Sequence, residues 1–117
     1  MLNSKYRLRK NIAFVATFKL KNTVSNEFLT LYKGKDKSDF NAITKVGFIV
    51  SKKVHKRAVK RNKIKRRLRE IYWVIYKNNQ LKNLENAISL VFIAHGKILD
   101  LNYHQIKQAV MDLIDKF

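Results

Sequence analysis

One long segment of the chain, residues 57–77, carries apolar residues at helical spacing. The i, i+4, i+7, i+11 stripe of an amphipathic helix is formed by Ile64, Leu68, Ile71 and Ile75. At 100° per residue, the opposite face carries Asn62, Arg66, Arg69 and Trp73. The pattern predicts a helix that packs on a core through its apolar stripe and leaves its other face cationic.

Shorter patterns predict the elements that precede this helix. Asn11 is placed to cap a helix over residues 12–21, in which Phe14 and Phe18 share one face. Residues 23–32 are rich in β-forming residues and predict a strand, with a possible break near Asn26.

The next stretch predicts a hairpin. Residues 33–42 are polar and predict a loop, and residues 43–52 predict a second strand that this loop joins to the first. Gly47 inside the second strand indicates a bulge or a close backbone approach.

After the long helix, "NNQLKN" at 78–83 predicts its end, and the apolar run 87–94 predicts a buried strand. Either Asp100 or Asn102 can cap a last helix. Its inward side chains are expected to be Tyr103, Ile106, Val110, Leu113 and Phe117.

The predicted order is α-β-β-α-β-α, within one domain covering residues 1–117. A strand, a long helix and a further strand favour a crossover between parallel neighbours. The fold class is therefore predicted to be α+β, an α/β sandwich in which helices pack a small mixed sheet.

Charge adds a partner to this picture. The chain has 26 basic and 8 acidic residues, a net charge of +18, and residues 52–69 contain no carboxylate. A solvated helix face usually alternates Glu with Lys, whereas the cations of this helix repel one another. A polyanionic partner would relieve that repulsion. A plain solvated face is the alternative interpretation. Nucleic acid is favoured over a membrane because the apolar stripe is needed for the core. The absence of zinc, zipper and helix-turn-helix spacing favours structured RNA over DNA.

Other chemistry is sparse. There is no cysteine, which fits a reducing compartment, and we expect a cytoplasmic protein. The histidines His55, His95 and His104 show no metal-ligand spacing, and the acids are scattered, so we expect no protein metal site and no catalytic residue. No apolar run reaches the roughly 18 residues that a membrane span needs.

Three stretches in order resemble the bacterial ribonuclease P protein family. "RNKIKRRLR" at 61–69 resembles its RNR motif, "VGFIVSKK" at 46–53 resembles the strand upstream, and "RLRKNIAFVATF" at 7–18 resembles its first helix. The resemblance covers most of the chain from Tyr6 to Ile75. Lys45 stands where many relatives have Arg.

The resemblance implies fold and function. Members bind a large catalytic RNA, and the holoenzyme hydrolytically removes 5′ leaders from precursor tRNA. The RNA holds the magnesium ions, so the protein is an accessory subunit of an endoribonuclease. The family fold contains a left-handed β-α-β crossover. The expected partners are the catalytic RNA and precursor tRNA, with no obligate protein partner.

Residues carried over by the resemblance form two sets. The contact surface for the RNA subunit falls on Lys52, Lys53, Arg61, Asn62, Lys65, Arg66 and Arg69. The cleft for the leader falls on Lys10, Phe14, Phe18 and Tyr32.

Several alternatives stay open. Phe14 and Phe18 could be plain core residues, and Trp73 could stack on RNA or pack against the first helix. A general RNA-binding protein associated with ribosomes is the alternative function, and a cationic membrane-active protein is a third.

Overall fold

The computed structural model describes residues 2–39 and 41–117. Its main elements are α1 (Asn11–Lys19), β1 (Thr23–Ser25), β2 (Leu29–Lys33), β3 (Lys45–Ile49), α2 (Ala58–Lys77), β4 (Ser89–Ala94) and α3 (Tyr103–Asp115). Short 3-10 turns lie at Ser4–Tyr6, Lys82–Asn86 and Gly96–Asp100. Of the predicted loop 33–42, Phe40 lies outside the described residues.

The four strands form one mixed sheet in the order β1-β2-β4-β3. β1 pairs with β2 and β2 with β4 in antiparallel fashion, whereas β3 and β4 are parallel. The chain crosses from β3 to β4 through α2, so the predicted α+β class and the parallel crossover are confirmed.

The predicted hairpin between the two early strands is wrong, because β4 lies between β2 and β3. β4 reads "SLVFIA" and is almost completely buried, as suits a strand covered on both faces. The predicted strand 23–32 is two strands. The side chain of Asn26 accepts hydrogen bonds from the backbone N–H groups of Phe28 and Leu29, both at 2.9 Å, and so turns the chain.

Helix ends differ in detail from the prediction. Asn11 is the first residue of α1 instead of its cap; Lys10 is the cap residue, and the described residues provide no side-chain cap bond there. At α3 the cap is Asn102, which exchanges hydrogen bonds with Gln105 in a capping box. Asp100 instead ends the preceding 3-10 turn.

The hydrophobic core lies between one face of the sheet and the two helices α2 and α3. The stripe predicted for α2 is buried there, namely Ile64, Leu68, Ile71 and Ile75. Strand residues on the same side include Leu31, Val46 and Phe92. Of the inward residues predicted for α3, Ile106, Val110 and Leu113 are buried, while Tyr103 and Phe117 are half-buried against the core.

α1 packs on the other face of the sheet. The Thr17 hydroxyl lies 2.6 Å from the Ser89 hydroxyl of β4, and both side chains are buried. A Cβ built on Gly47 would lie 2.5 Å from the Phe14 ring, so the close approach predicted at this glycine is confirmed. The sheet is therefore covered by α2 and α3 on one face and partly covered by α1 on the other.

The N-terminal segment borders β3. The Leu8 N–H donates to the Val46 carbonyl at 2.9 Å, and Leu2 is only 2% exposed. Tyr6 places its ring 5.2 Å from Trp73 and 5.3 Å from Tyr76. Trp73 thus packs against the segment before α1, not against the first helix.

Within the described ranges, the helices are too short or too polar to cross a membrane.

Candidate nucleic-acid interface

The outer face of α2 carries positive charge that no carboxylate pairs with in the part of the chain that the structure describes. Asn62 and Arg66 are exposed, and Lys65 and Arg69 are half-exposed. In residues 2–39 and 41–117 the ion pairs are Lys33–Asp36, Lys82–Asp115 and Lys97–Glu27, none of which lies on α2. The face is free to meet a polyanion.

The predicted contact residue Arg61 is already engaged within the protein. Its Nη1 donates to the carbonyls of His55 at 2.9 Å and Lys56 at 2.8 Å. The guanidinium therefore fixes the loop that leads from β3 into α2. Lys52 and Lys53 lie in that loop and are exposed.

A second cluster joins α2 to the N-terminal segment. Burial, followed by the charges of Arg7 and Arg66, lowers the pKa of Arg69. The Arg7 Nε is buried and has no hydrogen-bond partner among the described residues. Sequence reasoning missed Arg7, since its proximity to α2 depends on how the N-terminal segment packs along β3.

The aromatic residues expected in the cleft do come together. The ring centroids of Phe14 and Phe18 are 6.5 Å apart, and those of Phe18 and Tyr32 are 4.9 Å apart with an edge-to-face angle of 77°. All three are half-buried and lie outside the core cluster. The interpretation of Phe14 and Phe18 as plain core is therefore wrong, because α1 lies on the less covered face of the sheet.

Lys10, the other predicted cleft residue, is exposed at the start of α1. Its carbonyl accepts a hydrogen bond from the N–H of Phe14 at 3.2 Å, so it lies one helical turn before the aromatic pair.

The sheet supplies a floor beside these rings. One row across the sheet consists of Thr30 on β2, Ile93 on β4 and Ile49 on β3, and it lies next to the row that holds Tyr32. The Thr30 hydroxyl lies 2.7 Å from His95 Nε2. This floor was not among the predicted site residues, although the period-two alternation of the strands indicates which side chains share a face.

Metal-binding chemistry is sparse on this surface. In the part of the chain that the structure describes, no three His, Cys, Asp or Glu side chains are grouped so that they could hold a metal ion. The surface offers cations, amides and aromatic faces, which are groups that bind phosphates and bases.

Fold and surface together define a small basic nucleic-acid-binding domain with a cationic helix and, at the position predicted for the cleft, a cluster of half-buried aromatic rings. The family model "Ribonuclease P" matches residues 2–117, so the chain belongs to the ribonuclease P protein family. Membership of this family places it in the 5′ maturation of transfer RNA, as the accessory protein subunit of an endoribonuclease.

Named relatives agree with this assignment. The ribonuclease P protein component of Clostridium botulinum strain Eklund 17B is 40% identical over 116 residues, covering 95% of this chain and 87% of the relative. The ribonuclease P protein component of Clostridium kluyveri is 37% identical over 111 residues, and the match covers 95% of this chain and 93% of the relative.

Solved structures share the fold. The RNase P protein of Staphylococcus aureus superposes with a TM-score of 0.77 at 28% identity, covering 94% of this chain and 93% of that one. The RNase P protein from Thermotoga maritima superposes with a TM-score of 0.75 at 23% identity, covering 95% of this chain and 96% of that one. At this identity the likeness supports the fold alone. These findings favour the processing role over a general ribosome-associated one.

Proposed function

We propose that the two surfaces divide the work of the ribonuclease P protein between two RNA partners. The cationic face of α2 binds the catalytic RNA, through Asn62, Lys65, Arg66 and Arg69, with Lys52 and Lys53 at its entry. The observation that carries this proposal is the lack of any carboxylate paired with α2 in the described ion pairs. Phosphates would replace the missing counter-charges and release condensed ions.

Arg61 has a supporting part in this proposal. Its hydrogen bonds to His55 and Lys56 hold the loop carrying Lys52 and Lys53 against the start of α2. Only the part of the guanidinium outside these bonds remains available for RNA.

The aromatic cleft is proposed to bind the single-stranded leader of precursor tRNA. Phe14, Phe18 and Tyr32 offer half-exposed rings, and each stacked base is worth roughly 1–3 kcal/mol. Stacking is tolerant of sequence, as leaders of many precursors require. Lys10 would neutralise a leader phosphate.

Magnesium is proposed to be held by the RNA. The described protein residues lack a grouped set of carboxylates, so they do not fit a divalent-ion site. The protein's part is electrostatic: its +18 charge lowers the repulsion between the phosphates of substrate and catalytic RNA. We place this work in the cytoplasm.

Reconstitution tests the proposal as a whole. The full chain is added to a bacterial ribonuclease P RNA at low magnesium, and cleavage of precursor tRNA is measured. We expect faster cleavage and tighter binding of precursor than of mature tRNA. Equal activity with and without the protein would refute the proposal.

Salt dependence tests the α2 surface. Arg66→Ala and Arg69→Ala should each lower the slope of log affinity for the catalytic RNA against log salt by roughly one. Lys107→Ala, on α3, makes the same charge change and should leave the slope near its original value. If all three variants behave alike, the contacts are unspecific.

Leader binding is tested on α1. Phe18→Ala should weaken binding of precursor tRNA by roughly 5-fold to 150-fold, the equivalent of 1–3 kcal/mol, and leave mature tRNA unaffected. Val15→Ala removes an exposed apolar side chain from the same helix and is the matched control. Equal losses for both tRNA forms would place Phe18 outside the leader site.

A further inference from the structure

A second groove lies along α1, on the side away from the aromatic pair. It has a volume of about 930 Å³ and is open to solvent. α1 lines it with Ala13, Ala16, Thr17 and Leu20, which recur at i, i+3, i+4 and i+7. Gly34, Ala42, Ile43, Ile88 and Ser89 complete the floor.

This groove is separate from both proposed RNA surfaces. Neither α2 nor the ring side chains of Phe14, Phe18 and Tyr32 contribute to its lining. Thr17 and Ser89, joined by their hydroxyls at 2.6 Å, form the boundary where α1 rests on the sheet. A ligand in the groove would therefore leave the aromatic cleft unobstructed.

The floor is aliphatic. Leu20, Ile43 and Ile88 are 50%, 36% and 41% exposed, and they converge on this groove. Contiguous exposed apolar surface of this kind marks a binding site. Bases need aromatic faces for stacking, and the described lining contains none, so the floor does not suit nucleic acid.

Lysines stand at both ends of the groove. Lys5 and Lys45 also line a smaller cavity next to Arg9 and the start of α1, so they mark one end. Lys35 marks the other end, because the Ile88 N–H donates to the Lys35 carbonyl at 2.8 Å while the Lys45 N–H donates to the Ile88 carbonyl at 3.2 Å, so the two lysines flank Ile88 on opposite sides. Lys19 lines the groove next to Leu20, at the end of α1. All four are exposed, and none joins the ion pairs of the described residues.

The two ends are separated by most of the length of α1. Ala13 and Leu20 are seven residues apart, which corresponds to about 10 Å along a helix. A ligand that satisfies both ends needs two anionic groups at that separation with apolar groups between them. A single-headed amphiphile could satisfy only one end.

We propose that this groove docks an acidic amphipathic peptide segment of another protein. Its apolar side chains would fill the floor, and its carboxylates would reach the lysines at both ends, as in helix-in-groove recognition. A second copy of this chain does not fit, because two molecules of charge +18 with eight acids each would repel.

The test uses the full chain and a defined probe. The probe is a synthetic peptide of about 14 residues that forms a helix, with a leucine stripe and two Glu pairs placed seven residues apart, which matches the roughly 10 Å between the ends of the groove. Binding is followed by NMR of the labelled protein. We expect shifts at Ala13, Ala16, Leu20 and Ile88; a lack of shifts there would overturn the proposal.

Variants separate docking from general attraction to a basic protein. Two double variants should each weaken binding of the peptide by roughly tenfold: Leu20→Ser with Ile88→Ser, and Lys19→Gln with Lys35→Gln. The controls are Leu99→Ser, an exposed apolar site elsewhere, and Lys60→Gln with Lys63→Gln, which makes the same charge change on α2. An equal loss of peptide affinity in either control would overturn the proposal.

Two competitors decide the identity of the ligand. Dodecyl phosphate that displaces the peptide at lower concentration would show an amphiphile site, and a single-stranded oligonucleotide that does so would show an RNA site; either outcome overturns the proposal. Reconstituted cleavage by the Leu20→Ser, Ile88→Ser variant should be unchanged. Loss of cleavage would assign the groove to the RNA machinery, so failure here is distinct from failure of the proposed function.

Discussion

Gly47 shows how one missing side chain shapes the cleft. Its position on β3 lies under the Phe14 ring, and a Cβ there would approach two ring carbons at 2.5 Å. Glycine is usually unfavourable inside a strand, so its presence here reflects the space that the ring occupies. The residue sets the height of α1 above the sheet and hence the position of the aromatic pair.

Gly47→Ala should therefore displace the Phe14 ring. We expect a loss of about 1–3 kcal/mol in unfolding free energy, as for overpacking, together with weaker leader binding. Urea denaturation and precursor tRNA binding measure the two effects. Gly96→Ala is the control, since no atom of the described residues lies within 4 Å of its added Cβ, and it should change stability by less than about 0.5 kcal/mol. Identical behaviour of the two variants would contradict the argument.

The hydroxyl of Tyr72 is a second residue-scale feature. It is buried, and it finds no hydrogen-bond partner among the described residues. Burial, followed by the effects of Tyr76 and Glu85, raises the pKa of Tyr72 far above its usual value. The ring belongs to the core, where it packs against Phe48 and Phe92.

Tyr72→Phe should be neutral or stabilising at neutral pH, because it removes an unsatisfied polar group. In the native protein, stability should be lost above about pH 10, where the unfolded phenol ionises while folded Tyr72 keeps its proton, at about 1.4 kcal/mol per pH unit. The variant should lack this component. Urea denaturation at pH 9 and pH 11 checks it; the same pH dependence in both proteins would contradict it.

At the scale of elements, α2 has two faces with separate roles. Leu68 and Ile71 are fully buried, while Arg66 is exposed among cations. The apolar face supplies stability, whereas burial, followed by the charges of Arg7 and Arg66, lowers the pKa of Arg69 on the cationic face. Stability and RNA affinity are thus expected to separate by face.

Leu68→Ala should destabilise the protein by about 2–5 kcal/mol through the cavity that it leaves. Arg66→Ala should change the unfolding free energy by less than about 0.5 kcal/mol, although it weakens RNA binding. Thermal and urea denaturation of both variants provide the comparison. A large loss for Arg66→Ala would show that the cationic face also holds the fold together.

At the scale of the whole molecule, the N-terminal segment joins the sheet edge to α2. Leu8 hydrogen-bonds to Val46 of β3, the Tyr6 ring packs at a tilt against the rings of Trp73 and Tyr76, and Leu2 is buried. The segment covers an edge strand that would otherwise offer open backbone groups. It also carries Arg7 to the cations of α2.

Removal of residues 1–8 should lower the unfolding free energy by at least about 2 kcal/mol, because burial of one leucine contributes that much. Weaker binding to the catalytic RNA should accompany the loss, since Arg7 is removed. Urea denaturation and RNA titration measure the two. Removal of Phe117, half-buried at the other end, is a milder comparison. Unchanged stability after the N-terminal truncation would contradict this view of the segment.

The local sequence pattern was sufficient to predict α2, its buried stripe and the parallel crossover, because the spacing of apolar residues is a property of neighbouring positions along the chain. It was insufficient for strand order: an apolar run such as 89–94 shows that a strand is buried without showing which strands flank it. The cap predicted at Asn11 was wrong, since α1 already begins at Asn11 and Lys10 occupies the cap position without a side-chain bond among the described residues.

The sequence by itself determined a basic domain whose long helix keeps its cations on one side, because side-chain direction along a helix is fixed by its geometry. Three contacts were decided by the tertiary structure alone. Arg7 lies close to α2, and Arg61 donates hydrogen bonds to the loop carbonyls of His55 and Lys56. The Phe14 ring packs on Gly47. These contacts join residues distant in sequence or depend on the path of a loop, and such proximity arises only when the sheet and its helices pack.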